Sequence, residues 1–158
     1  MGQPMAHMKI AIKDIKRYIG REIGVSDWID ISQERVNLFA EATGDFQWVH
    51  VDEKRARTEL SDGKTIAHNF LLLSMIPQLF DQVVSITGLR YGLNKGGERV
   101  RFIKPVSTGS RIRARIGLNK LEYVDQTGMT ATFHILMELD GGEKPVLSMD
   151  LQLLLVAG

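Results

Sequence analysis

The chain has 158 residues, of which 44% are hydrophobic and 25% charged, a composition that excludes a mostly disordered chain and suits one globular domain. Twenty Lys and Arg against 19 Asp and Glu leave a formal charge of +1, so nothing demands nucleic acid or an anionic membrane as partner. With no Cys, disulfide frameworks, thiolate metal sites and Cys nucleophiles are excluded, which suits the cytoplasm.

Residues 1–8 lack the apolar stretch of a signal peptide and read as a tag remnant or a disordered start, His7 included, so the domain is expected over 9–158. Ile10, Ile12, Ile15 and Ile19 give Lys9 to Tyr18 the pattern of a weak amphipathic helix, broken by Gly20 and Gly24. Ser26 to Ile31 alternates as a short strand would. Ser32 is placed to cap a helix over Gln33 to Thr43, with Val36, Phe39, Ala40 and Thr43 on one face and Gly44 as a left-handed C-terminal stop. A polar loop, Asp45 to Asp52, and a charged helix, Glu53 to Leu60, follow, then a turn at Ser61-Asp62-Gly63.

Ile66 to Val84 is apolar almost all round, so the pattern predicts a helix buried on most sides and kinked at Pro77. Its longest apolar run, Phe70 to Phe80, is interrupted by Ser74, Pro77 and Gln78 and is far below the roughly 20 residues a membrane-spanning helix needs. From residue 86 the period becomes two. Arg99 to Ile103, Arg111 to Ile116, Thr130 to Glu138 and Leu147 to Leu153 alternate apolar with polar residues, as half-buried antiparallel strands do. Turns are expected at Gly96-Gly97, Gly109, Gly128 and Gly141-Gly142. So apolar a helix needs a sheet curved around it, which makes the fold class α+β.

Two segments carry candidate chemistry. In Thr43-Gly44-Asp45-Phe46-Gln47-Trp48-Val49-His50-Val51-Asp52, a carboxylate and an imidazole stand five residues apart. A helix would hold them about 140° apart; a bend after Gly44 brings them together, around one water, as an acid–base pair. Phe46, Trp48 and Val49 would keep such a site dry. The same spacing also fits a loop-capping Asp45 and a structural His50. In Thr65-Ile66-Ala67-His68-Asn69-Phe70, the apolar helix begins, and first-turn amides lack intrahelical acceptors, so they can meet an oxyanion. An ordinary helix start capped by His68 and Asn69 reads equally well.

Together the segments Phe39 to Asp52 and Thr65 to Phe70 resemble the MaoC-like hydratases, the (R)-specific enoyl-CoA hydratases. The tract Tyr91 to Lys95, continued through Val100 to Val106 and Gly109-Ser110-Arg111, is also similar, and the resemblance spans roughly residues 22 to 156. It implies a single hot-dog domain, an antiparallel sheet wrapped around the long apolar helix, paired as a homodimer or higher homo-oligomer. It also implies reversible syn addition of water to a trans-2-enoyl thioester. In that role Asp45 and His50 are the catalytic pair, and Asn69, His68 and Ser74 the oxyanion or substrate contacts. Acyl-CoA or an acyl carrier protein thioester is the substrate, with no metal and no redox cofactor. Two departures stand out: Asn69 replaces the family's Gly after His, and Gly96-Gly97-Glu98-Arg99 looks like an insertion lengthening a turn.

The alternatives are a non-catalytic acyl-thioester-binding hot dog and a hot-dog thioesterase. The second is disfavoured because no Asp or Glu lies between His68 and Phe80. A metal hydrolase built on Asp45, His50, Asp52 and His68 would require both segments to converge. Arg99, Arg101, Arg111, Arg113 and Arg115 are candidates for a CoA phosphate contact or simply a solvated strand face, and His134 lies on the polar phase of its strand and reads as exposed.

Overall fold

The computed structural model describes residues 7–158. The expectation for residues 1–6 lies outside them, but residues 7 and 8 belong to the fold: His7 N–H donates to Gln82 O (3.0 Å), and Met8 opens strand β1, Met8–Ala11. The helix expected over Lys9 to Tyr18 is therefore a strand followed by a 3₁₀ helix, Ile12–Tyr18. Parallel pairing of β1 with β4 (Val84–Thr87) satisfies the backbone and buries Ile10.

The main sheet has the order β2 (Arg21–Val25), β6 (Arg111–Tyr123), β7 (Gly128–Leu139), β8 (Leu147–Ala157), β5 (Leu89–Phe102), with the short β3 (Ile29–Asp30) also on β6. Neighbours are antiparallel. The alternation read from the sequence sets the register: Ile116, Ile135 and Met149 lie side by side across three strands, all buried. Such same-face apolar rows fix a sheet, since a slip by one residue would expose every member.

Against this concave face lies the central helix, which is not continuous. Ile66 to His68 run extended, tied by Ile66 N–H to Val49 O (2.9 Å) and Ala67 N–H to Val106 O (2.8 Å). Helix α4 covers Asn69–Ser74 and α5 covers Ile76–Val83. Pro77 falls in the first turn of α5, where its missing donor costs nothing; as a helix interior it would remove a bond and clash with the preceding turn. Leu72, Ile76, Leu79 and Val83 are buried, and Phe80 meets Phe133 edge-on at 4.8 Å. The helix is not covered all round: Asn69, Phe70, Ser74, Pro77, Gln78 and Asp81 face outward, Phe70 being 66% exposed.

Gly96 and Gly97 form no turn. They lie inside β5, which pairs with β8 through irregular steps at Asn94/Gly96 and Glu98/Arg101. These steps act as bulges that absorb the extra residues without breaking the strand. Arg99 sits there at φ 51° and carries its guanidinium to Asp150. Among the described residues β5 pairs on one side only, leaving a long open edge. Helix α1 (Gln33–Thr43) is as expected: Ser32 Oγ accepts from Arg35 N–H (3.1 Å) and Gly44 closes it at φ 79°. Of its anticipated face, Val36 and Ala40 are buried, whereas Thr43 is exposed and its hydroxyl donates to Phe39 O.

Candidate active site

Gly44 turns the chain out of α1, and Asp45 follows at the bend. Its Oδ1 accepts from Gln47 N–H (3.3 Å), a local turn typical of Asp. The expected polar loop then contains a single helical turn, α2 (Trp48–Val51), and Asp52 caps α3 (Glu53–Glu59) by accepting from Arg55 N–H (2.9 Å). That short turn aims His50 back toward Asp45.

The two chemistry-bearing segments do converge. His50 Nδ1–H donates to Ile66 O at 2.6 Å. A carbonyl only accepts, so Nδ1 keeps its proton and Nε2 is the nitrogen left to exchange one. His68 is 3% exposed; its Nε2–H donates to Asp45 O at 3.0 Å and its ring stacks on that of His50, centroids 3.9 Å apart. Ligand-capable atoms of Asp45, His50 and His68 all lie within 4.8 Å of one another. Two imidazoles and a carboxylate suit a divalent cation chemically, but the ring N–H groups spent on carbonyls leave only His50 Nε2, His68 Nδ1 and the carboxylate as donors to one. Asp52 faces α3 and is not in the cluster.

A cleft of about 370 Å³ opens over this cluster, lined by polar Asp45, Gln47, His50 and Asn69 and by apolar Ile66, Phe70, Phe102 and Pro105. The apolar wall is thus not the one the sequence suggested: Phe46 is 59% exposed, and Trp48 lies under the Arg55 guanidinium (3.9 Å). Phe102 comes from the far strand β5, meeting Phe70 edge-on at 6.0 Å. No local pattern announces it.

Asn69 is the first residue of α4, with helical backbone, and no acceptor among the described residues takes its N–H. Ser74 is not in the cleft: its Oγ donates to Phe70 O (2.7 Å), which satisfies it within the helix. A missed contributor is Gln33, whose Nε2–H₂ donates to His50 O (2.8 Å) and Asn37 Oδ1 (2.9 Å) while its carbonyl accepts from Thr65 Oγ1. Gln33 thus clips α1 to both segments; in the sequence it reads only as a first-turn helix residue.

The outward arginines are mostly engaged. Arg111 pairs with Asp140, Arg113 with Glu138, Arg115 with Glu138 and Glu22, and Arg99 with Asp150; Arg101 has no carboxylate partner among the described residues. They form a laced strand face rather than a free phosphate cradle. His134 is half-buried, not exposed, with Nδ1 2.9 Å from Asp150 Oδ1. Burial raises the Asp150 carboxyl, but the hydrogen bonds from His134 and Arg99 outweigh it and hold it below the usual carboxylate range.

Residues 14–137 match the family model described as MaoC like domain. The chain belongs to the MaoC-like domain family. This MaoC-like chain is 42% identical over 135 residues to 3-hydroxyacyl-thioester dehydratase Z of Mycobacterium tuberculosis, covering 85% of the chain and 89% of that protein. It is 38% identical over 141 residues to nodulation protein N of Rhizobium leguminosarum bv. viciae, covering 89% and 88%. Among solved structures, a monoamine oxidase regulatory protein from Archaeoglobus fulgius superposes with TM-score 0.75 at 25% identity, over 98% of this chain and 99% of that one. The unliganded R-hydratase PhaJ1 from Pseudomonas aeruginosa superposes with TM-score 0.68 at 21% identity, over 89% and 83%, and shares the hot-dog fold.

Proposed function

We propose that this MaoC-like chain is a hydro-lyase, an (R)-specific enoyl-CoA hydratase or 3-hydroxyacyl-thioester dehydratase. The observation that carries the reading is the convergence of the Asp45 carboxylate and the His50 ring, whose Nδ1 is engaged by Ile66 O, in one cleft that Asn69 also lines. The relative named 3-hydroxyacyl-thioester dehydratase Z supports the same reaction class.

In hydration, one water bridges Asp45 and His50. The Asp45 carboxylate takes a proton as the water oxygen bonds to C3 of the enoyl thioester. The π electrons move toward the thioester oxygen, giving an enolate held by the Asn69 N–H. One positioned donor of this kind is typically worth about 3 kcal/mol. His50, as imidazolium, delivers its Nε2 proton to C2 from the same face, and Nδ1 keeps its bond to Ile66 O throughout. Asp45 then holds the proton that His50 has lost, and transfer between these neighbours restores the starting state. Protons and electrons balance within the pair and the substrate, so the reaction calls for neither a metal nor a redox cofactor.

The thioester is carried by CoA or by an acyl carrier protein. Hydrolysis is disfavoured because the carboxylate of α5, Asp81, lines a different groove, with Leu93 and Leu153. A homodimer or larger homo-oligomer is supported by the open edge of β5 and by exposed Phe70 and Leu93 beside it. No helix among the described residues is long and apolar enough to cross a membrane. Together with the absence of Cys, a thioester substrate suits the cytoplasm.

The test is direct. Purified protein should consume crotonyl-CoA, read as loss of the enoyl-thioester absorbance, and chiral analysis should find the (R)-3-hydroxyacyl product. Absence of hydration with short, medium and long enoyl-CoA, alongside retained acyl-CoA binding, would mark a binding module instead.

A further inference from the structure

His68 lines the cleft beside Asp45, His50 and Asn69, with one ring nitrogen bonded and the other buried. Its Nε2–H holds the backbone carbonyl of Asp45 (3.0 Å). One face of its ring lies on His50 (3.9 Å, 26°), and Phe39 packs against it at 4.9 Å. Its own carbonyl accepts from Leu71 N–H (3.0 Å) and Leu72 N–H (3.3 Å), which fixes the start of α4, and its peptide bond carries the Asn69 N–H. Asp45 is otherwise held by little: its residue is exposed, and the Gln47 N–H contact is long.

The remaining ring nitrogen, Nδ1, is buried and has no partner among the described residues. Leaving a buried acceptor unpaired is destabilising, and an all-carbon aromatic ring would avoid it. Packing alone therefore does not account for a histidine here; the Nε2–H bond to Asp45 does. We infer that His68 is a positioning residue that sets Asp45, His50 and the Asn69 N–H in mutual register, rather than a substrate contact. This rests on the hydratase reading above.

The geometry makes stability and turnover move in different directions. His68→Phe keeps an aromatic ring beside His50, removes the unpaired acceptor, and loses the bond to Asp45. Its thermal midpoint should equal or exceed that of the wild type. Its kcat on crotonyl-CoA should fall on the order of 10- to 100-fold, the scale of a misplacement near 1 Å, with KM changed less than about threefold, as for an interaction that matters in the transition state. Amide hydrogen exchange should rise over residues 45–48 and nowhere else. Should His68→Phe not fold, His68→Gln and His68→Ala carry the comparison, because both lose the ring and only Gln supplies an N–H. Faster turnover with Gln supports the inference, and equal turnover overturns it.

Wild-type kcat in folded His68→Phe, or a loss of rate that merely follows a loss of stability, overturns the inference while leaving the hydratase reading intact. A wild-type protein that hydrates no enoyl thioester overturns both.

Discussion

His50 and His68 clasp each other's segments: His50 Nδ1–H donates to Ile66 O at 2.6 Å, while His68 Nε2–H donates to Asp45 O at 3.0 Å, and the two rings stack between these bonds. Each histidine thereby fixes the backbone that carries the other's working neighbour. The bond from His50 also decides which nitrogen is left to exchange a proton, because the carbonyl of Ile66 can only accept and so holds Nδ1–H. Loss of either member of the acid–base pair should be severe. Asp45→Asn and His50→Ala should each lower crotonyl-CoA hydration by at least about 100-fold, the lower bound for positioned acid–base help. Near-wild-type rates in folded variants would remove these residues from the mechanism.

Asn69 departs from the family pattern, yet its backbone is helical and needs no glycine. The donor is a main-chain N–H and survives either side chain. Asn69→Gly should therefore preserve or raise activity on short enoyl-CoA, at a stability cost of no more than about 1 kcal/mol for glycine in a helical turn. Steady-state kinetics and thermal melts check both halves. A wild type that is inactive while Asn69→Gly gains hydration would identify the native chain as a binding module.

Asp150 stands on the outer face of the sheet but is only 2% exposed, covered by Arg99 and flanked by His134. Its carboxyl is held low when folded, so the unfolded chain takes up the proton first as pH falls. The stability it supplies is complete above the ordinary carboxylate range and is lost as pH drops through that range toward its folded value. Asp150→Asn should cost about 1–3 kcal/mol near neutrality and flatten the fall of stability with acid. Denaturant titrations at several pH values below about 5 read the slope; an unchanged slope would show that Asp150 does not contribute to it.

The open β5 edge and the outward face of Phe70, Pro77 and Gln78 predict association. Sedimentation velocity should find a dimer or larger species at micromolar concentration, and a stable monomer there would contradict the expectation. Leu93→Asp places charge on this apolar surface and should shift the population toward monomer.

What the sequence determined by itself is local. The Ser32 cap and Gly44 stop fix α1, because each satisfies end groups that the helix cannot satisfy internally. Period-two alternation set the inner row of β6, since one face of an antiparallel sheet can stay wet, whereas Gly128 to Phe133 of β7 are buried on both faces. The Asp45 and His50 block was legible because its residues lie within one short segment. Tertiary structure decided the rest. Lys9 became a strand residue through pairing with β4, which no local periodicity encodes. Gly96-Gly97 became a bulge because β8 continues alongside. Ser74, one helical turn beyond Phe70, found a backbone carbonyl and left the cleft. Phe102 entered the cleft from a remote strand, and Gln33 reached His50 across from another helix. Side-chain spacing along the chain reports which face a residue prefers, but the partner that meets it depends on distances closed only when sheet and helix pack.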